Sequence, residues 1–547
     1  MKLALVSMRA SDSPEALPLG SACVAAAVKS AVGLETIESF IVEALPGEDA
    51  AALAARLADS EAELVGFSVY SWSRTFLAQT ARALRPMRSG IIVFAGGPEA
   101  TADPESMIAE AGLDFAVAGE GELSLPAALR ALLAGRLEAE AIAGIALPGR
   151  PWRAAPPADS AELPSPWLSR VIDPAAFGGD LVWELARGCP FHCAYCYESK
   201  GQGGSRPFPM ERIEAELDLL VARGARYIFI LDPTFDSDPA RAASLLDLLG
   251  TKPGVRWKFE LRAELLDKGI ARRLGALDCS VQIGLQSVNR RTLETVGRPG
   301  FDRKSFARKI AMLGAQGVSF GLDLIYGLPG DSLSDFEEGI DFALALEPNH
   351  LDLFPLALLP GTELEERAAE LGIEAEARPP YEVVSTREMG RDDLAEAASL
   401  ARACDRFYSA GRAVGWFRAA LAPLRERPSA FLRGFAASLG RSHAEGGGAE
   451  LDRRAIEAEQ LGYLERRYEE AHAISLLPAL RDLVRLHGAW GRALAEGEET
   501  VLELRYDPEA ALGAAASLAA FARSTRPRPG SWRVIPDPDE GARIERG

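Results

Sequence analysis

The sequence predicts an α/β protein in three parts: a doubly wound, Rossmann-like (flavodoxin-like) sheet, a partial (β/α)6 barrel of the TIM type, and a helical C-terminal part. Three observations predict it. Residues 1–150 alternate nearly all-apolar strand-like segments with helical ones, the pattern of a parallel sheet covered on both faces. Residues 151–180 are rich in proline and small residues (Pro151, Pro156, Pro157, Pro164, Pro166, Pro174) and read as a linker between domains. Six further strand–helix units then fill 181–374, and the pattern becomes mainly helical over 375–547.

In the first part, strands are expected near 3–7, 35–42, 64–70, 91–95 and 114–118, with helices at 20–31, 50–59 and 74–85. Ligands of such sheets bind beyond the carboxyl ends of the strands. The loops there are Leu17-Pro18-Leu19-Gly20, Ser68-Val69-Tyr70-Ser71-Trp72, Gly96-Gly97-Pro98-Glu99 and Gly119-Glu120-Gly121-Glu122. In the second part, strands are expected near 181–187, 226–231, 255–262, 279–286, 318–325 and 350–356, and barrel chemistry belongs at the carboxyl ends of the strands. Side chains alternate across a strand, so Lys258, Glu260 and Arg262 share the face opposite Trp257, Phe259 and Leu261. By the same rule Gln282, Gly284 and Gln286 share a face, as do Gly321 and Asp323, and His350 and Asp352. Charges in a helix-covered sheet are costly unless paired or solvated, so these faces are expected to line a polar cavity, with mutual salt bridging as the alternative. The third part has helical patterns at 391–412 and 450–473, read as a packed cap with a solvated face and a flexible break at Gly446-Gly447-Gly448.

The chain has 547 residues, 79 acidic and 60 basic, for a formal net charge of −19. That balance disfavours nucleic acid as a partner. No apolar run reaches the length of a membrane span, and Met1 to Val6 enters a strand directly, so no membrane association and a cytoplasmic location are expected. Cys23, Cys279 and Cys404 stand alone in apolar contexts, as in a reducing compartment.

The other three cysteines lie in Arg187-Gly188-Cys189-Pro190-Phe191-His192-Cys193-Ala194-Tyr195-Cys196, directly after the first barrel strand. Thiolates bind a [4Fe-4S] cluster with one sulfur per iron, so three ligands on one short loop leave the fourth iron open. A closed zinc site is the alternative and needs a fourth ligand. His192 could supply one only by folding back across the first spacer.

The C-x3-C-x2-C spacing with an aromatic residue before the last cysteine resembles the signature of the radical S-adenosylmethionine (SAM) superfamily. The resemblance implies that Cys189, Cys193 and Cys196 hold the cluster and that the open iron chelates SAM. One electron then cleaves SAM to a 5'-deoxyadenosyl radical. It also implies SAM contacts at Tyr195, at Asp232 in the Leu231-to-Asp236 loop, at Glu260 and Arg262, and at Gln286 in Ile283-Gly284-Leu285-Gln286-Ser287. The turns at Gly327-Leu328-Pro329-Gly330-Asp331 and Leu359-Pro360-Gly361-Thr362 match the family's turns after the fifth and sixth strands.

The first domain is similar to the cobalamin (B12)-binding domain found ahead of many such barrels, which implies corrin contacts at Gly20, Ser68, Tyr70, Trp72, Gly96, Gly97 and Glu120. The Asp-x-His-x-x-Gly motif is missing, since no histidine precedes His192, so Trp72 or Arg74 is expected to cover the lower face of the corrin. The barrel with the Arg378-to-Met389 segment and the helices beyond resembles a branch whose C-terminal domain has no assigned role. These likenesses imply a cobalamin-dependent radical SAM methyltransferase. Its substrate would be an unactivated carbon of a small molecule or peptide, and its reductant a flavodoxin or ferredoxin. Radical cyclisation or rearrangement without methyl transfer is the alternative, and a non-catalytic Fe-S electron carrier or sensor is another.

Overall fold

The computed structural model describes residues 1–9, 17–33, 35–45, 47–137, 141–198, 204–298, 300–439, 452–513, 517–537 and 541–547. Residues 10–16, before the first helix, and the Gly446–Gly448 break lie outside these residues.

The first sheet has strands β1 (Lys2–Met8), β2 (Glu38–Ala44), β3 (Leu64–Ser68), β4 (Ile92–Gly96), β5 (Phe115–Val117) and β6 (Ile145–Ala146) in the order β2-β1-β3-β4-β5-β6. The first five pair in parallel and β6 is antiparallel. Strand order reverses between β1 and β3, where the carboxyl ends open a crevice. Helices Leu19–Ala31 and Gly121–Leu133 cover one face, and Ala50–Asp59, Arg74–Met87 and Pro104–Ala111 cover the other. The strands are apolar on both sides because both faces are covered: Leu3, Val65, Val93 and Ala116 are fully buried.

Residues 151–180 do more than link. Trp167 is 1% exposed and packs into the main core, and Ser160 Oγ donates to the Pro207 carbonyl (2.7 Å).

The second sheet begins with β7 (Asp180–Trp183). After the short antiparallel pair β8 (Ala186–Arg187) and β9 (Arg206–Pro207) come β10 (Tyr227–Ile230), β11 (Arg256–Leu261), β12 (Cys279–Gln286), β13 (Ser319–Tyr326) and β14 (His350–Pro355). The order β14-β13-β12-β11-β10-β7 is sequential and all parallel, which leaves β7 and β14 as edges. Trp257, Phe259 and Leu261 are at most 3% exposed beneath the helices, while Lys258 and Glu260 are half-buried on the other face. Alternation on β11 therefore places the polar side chains inside the barrel.

The C-terminal part is helical as expected, and also holds a three-stranded antiparallel sheet that the sequence reading missed: β17 (Thr500–Leu504), β18 (Gly530–Asp537) and β19 (Gly541–Arg546), after the pair β15 (Glu374–Ala375) and β16 (Val383–Ser385). Helix Arg391–Cys404 runs into a π-helical turn, Asp405–Ser409, packed on β14. There the Ser409 hydroxyl accepts from the Leu351 N–H (3.0 Å) and donates to the Leu351 carbonyl (3.1 Å), and the Tyr408 hydroxyl donates to the Pro348 carbonyl (2.6 Å). These contacts satisfy groups that an edge strand otherwise leaves to solvent. Phe407, Trp416, Phe417, Phe431, Phe435 and Tyr463 stack edge-to-face behind the turn.

Candidate active site

Carboxyl ends of both sheets face one another across a cavity of about 600 Å³. Gly20, Ser68, Tyr70 and Trp72 line one wall; Arg187, Gly188, Leu231 and Pro233 line the other. Three carboxylates and two arginines join the walls at one end. Arg187 pairs with Glu122 (2.7 Å), Glu184 (3.0 Å) and Glu120 (3.7 Å), and Arg206 pairs with Glu120 (2.5 Å).

On the barrel side, the three-cysteine loop is clamped at its base by β8–β9 and pinned along its length. Ala194 N–H donates to the Val296 carbonyl (3.0 Å), Leu364 N–H to the Ala194 carbonyl (2.8 Å), and Cys196 N–H to the Cys193 carbonyl (2.9 Å). Gly297, at φ +74°, lets the next turn press against the loop: a Cβ there would sit 2.4 Å from the His192 carbonyl oxygen. Burial pushes the Cys196 thiol up to about 11, so this group needs a positive charge beside it before it can serve as a thiolate. Among the described residues no three Cys, His, Asp or Glu side chains converge closely enough for a single ion, and a cluster that takes one sulfur on each of three irons does not ask them to.

Around the loop the inward face of the barrel supplies charge. Arg262, just past β11, stacks its guanidinium on Phe191 (3.9 Å) and reaches Cys193 Sγ (3.8 Å). Its N–H is held by Asp236 (3.1 Å), whose carboxyl burial pushes up to about 7. Glu260 is pushed up to about 7 by burial, against the pull of Lys258. Gln286 ends β12 at a bulge with φ +66°, and its Oε1 is buried without a hydrogen-bond partner among the described residues. Tyr195 carries its hydroxyl to Arg298 (3.3 Å), which also donates to the Gly284 carbonyl (2.8 Å). Arg298, 8% exposed, is the site residue that sequence reading missed, because it lies in a loop without a motif.

Deeper in the barrel, Gln282 joins three neighbours. Its amide donates to Asp323 and Asp352, and its carbonyl accepts from His350 Nε2 (2.7 Å). That pairing requires the Nε2–H tautomer of His350. Burial lowers the imidazole's pKa against the pull of Asp352, and burial with the nearby Asp352 charge pushes Asp323 up to about 7.

Two residues expected to contact SAM and cobalamin have protein partners. Asp232 is 5% exposed and accepts from the N–H groups of Leu185 (2.8 Å) and Ala186 (3.0 Å), so it braces the strand end below the cysteine loop. Glu120 accepts from the Ala158 N–H (2.7 Å) and pairs with Arg206, an interdomain tie. Arg74, the other residue expected at the corrin, has protein partners as well. It is buried and pairs with Glu99 (2.9 Å) and Glu110 (2.9 Å), and it donates to the Tyr381 hydroxyl (3.1 Å), which in turn donates to Glu99 (2.7 Å).

Trp72 remains at the cavity: it is 53% exposed and stacks on Tyr70 at 4.5 Å and 13°. Behind it a slot enters the first domain at the β1/β3 crevice, lined by Leu5, Gly20, Gly66, Ser68, Gly96 and Gly97. Gly97, at φ +98°, is required by contact, since a Cβ would lie 2.8 Å from the Val69 carbonyl oxygen. Small residues around an open slot are what a bulky cofactor tail needs.

A doubly wound domain whose slot faces an iron–sulfur loop at a barrel mouth defines a class of two-cofactor α/β enzymes. Residues 183–343 match the radical SAM superfamily and residues 8–129 match the B12-binding domain. The chain is a radical SAM superfamily protein with a B12-binding domain ahead of its barrel. It is 26% identical over 370 residues to 2-(S-pantetheinyl)-carbapenam-3-carboxylate methyltransferase of Streptantibioticus cattleyicolor, covering 62% of this chain and 53% of that one. It is 25% identical over 347 residues to the cobalamin-dependent radical SAM methyltransferase TokK of Streptomyces tokunonensis, covering 59% and 51%. The match thus spans about half the length of these relatives. In fold it resembles the radical SAM methyltransferase TsrM of Kitasatospora setae, whose structure has cobalamin and a [4Fe-4S] cluster bound, with a TM-score of 0.57 at 16% identity over 86% of this chain and 99% of that one. Among the described residues no helix is long and apolar enough to cross a membrane.

Proposed function

We propose that the protein is a cobalamin-dependent radical SAM methyltransferase acting on an unactivated carbon of a small molecule or peptide. One observation carries the reading: Gly188 and Glu198, at the two ends of the cysteine loop, line the same cavity as Gly20 and Ser68 of the small-residue slot, so both cofactors could act on one substrate. When bound, the cluster supplies one electron for reductive cleavage of SAM, and cobalamin supplies a methyl carrier.

In this reading Cys189, Cys193 and Cys196 hold three irons. Gln286 Oε1 is oriented to accept from the ligand, because nothing else among the described residues satisfies it. Glu260 lies on the inward face of β11, and Tyr195 is fixed by Arg298 against the loop. The Tyr70–Trp72 stack gives an apolar floor to a corrin that lacks a histidine from this domain. At the cavity Trp72 and Leu231 are exposed apolar side chains, suited to the body of a substrate.

The test is anaerobic incubation of reconstituted protein with SAM, cobalamin, a reductant such as flavodoxin or ferredoxin with its electron source, and candidate substrates from neighbouring genes. Formation of 5'-deoxyadenosine together with S-adenosylhomocysteine supports methyl transfer. 5'-Deoxyadenosine without S-adenosylhomocysteine overturns methyl transfer in favour of rearrangement, and neither product would leave a carrier or sensor. The cobalt(II) form should show no nitrogen superhyperfine splitting from an axial imidazole.

A further inference from the structure

The three cluster sulfurs sit in different electrostatic surroundings. Cys189 Sγ lies 3.6 Å from the Thr234 hydroxyl, which is neutral and donates its hydrogen to the Pro233 carbonyl (2.8 Å). Cys196 accepts from the Glu198 backbone N–H and lies near the Glu198 carboxylate. Cys193 alone has arginine on it. Arg262 Nη1 donates to its Sγ at 3.8 Å, and Arg298, held by Tyr195 and Gly284, stands on the same side.

The placement of Arg262 is built. Asp236 fixes its backbone, and Phe191, two residues before Cys193, fixes the plane of its guanidinium. Glu264 takes its second terminal nitrogen at 3.4 Å. A guanidinium stays charged at any working pH, so this is a permanent N–H donor and a permanent positive charge on one sulfur.

Reduction of a [4Fe-4S] cluster adds one electron from a low-potential donor; no bond breaks and no proton moves. Hydrogen bonds to sulfur and nearby positive charge both favour the reduced form. We propose that Arg262, in addition to any contact with SAM, is a positioning residue that raises the reduction potential of the cluster through Cys193. This rests on the cluster reading above.

The test is a redox titration of the reconstituted full chain without SAM, with dithionite as donor and the reduced cluster followed by electron paramagnetic resonance. Arg262→Met should cut the reduced-to-oxidised ratio at a fixed ambient potential by roughly tenfold, a shift of about 59 mV for a one-electron couple. Arg262→Lys keeps the charge and loses the planar stacked fork, so it should show a smaller fall, and it decides the matter alone if the methionine variant assembles no cluster. Wild-type potentials in variants with wild-type iron and sulfide would overturn the proposal and leave the cluster reading standing. Wild-type protein that binds no iron and sulfide would overturn the cluster reading, and the proposal with it.

Discussion

The two parallel sheets treat the space beside their strands in opposite ways. The first clears it: Gly66, Ser68, Gly96 and Gly97 leave a slot with little charge on its walls. The second fills it: Lys258, Glu260, Gln282, Asp323, Asp352 and His350 project inward, half-buried, and Gln282 ties Asp323, Asp352 and His350 together. A slot made by omission selects by shape, because any added atom collides. A cavity lined with titratable groups selects by charge and hydrogen bonding, at the cost of burying them.

The largest test of the contrast lies on the charged side. Replacing Cys189, Cys193 and Cys196 together by Ala should abolish bound iron and sulfide while cobalamin is still retained. Iron and sulfide at wild-type level would end the cluster assignment.

On the cleared side, Gly96→Phe should abolish cobalamin retention with iron content unchanged. A Cβ at Gly96 comes no closer than 3.6 Å to Val117, so the new ring fills the slot and does not strain the backbone. Cobalamin bound as in the wild type, measured by its visible spectrum after gel filtration, would show that the slot is not the tail site.

Smaller losses are expected for Glu260→Ala and Gln286→Ala, each about 5-fold to 150-fold in SAM affinity, the effect of removing one buried hydrogen-bonding partner worth about 1–3 kcal/mol. Unchanged affinity by calorimetry in both variants would mean that SAM lies elsewhere.

The contrast also has a pH signature. Burial pushes Glu260 and Asp323 up to about 7, so the folded state holds these protons more tightly than the unfolded chain does. Their contribution to stability is full below the unfolded carboxylate range, near about pH 4, and is lost as pH rises through about 7. The thermal midpoint should fall from about pH 5 to about pH 8, and Asp323→Asn should flatten that fall. A slope identical to wild type would show that Asp323 ionises freely.

The smallest expected effect is at the barrel edge. Tyr408→Phe should cost about 1 kcal/mol of stability, read by denaturant unfolding, from loss of its bond to the Pro348 carbonyl.

Both sheets were legible in the sequence, because period-two alternation and apolar runs are local signals. All six barrel strands lie where the pattern of residues 181–374 puts them, and β11 turns its faces as alternation requires. The protein partners of Asp232 and Glu120 were not legible, because a carboxylate in a ligand-side loop looks the same in sequence whether it faces a ligand or a backbone amide. Arg298 was invisible because its partners, Tyr195 and Gly284, are distant in sequence. The β17–β19 sheet escaped because β17 is a five-residue strand between helices and its partners β18 and β19 lie some 25 residues further on.

The Ser409 and Tyr408 contacts along β14 bear on how the chain can be cut. A fragment ending at residue 374 would carry the complete parallel sheet with its last strand bare, a flat template for a second copy. Such fragments should self-associate edge to edge, and soluble expression of the barrel would require the chain to continue at least through the turn that ends at Ser409.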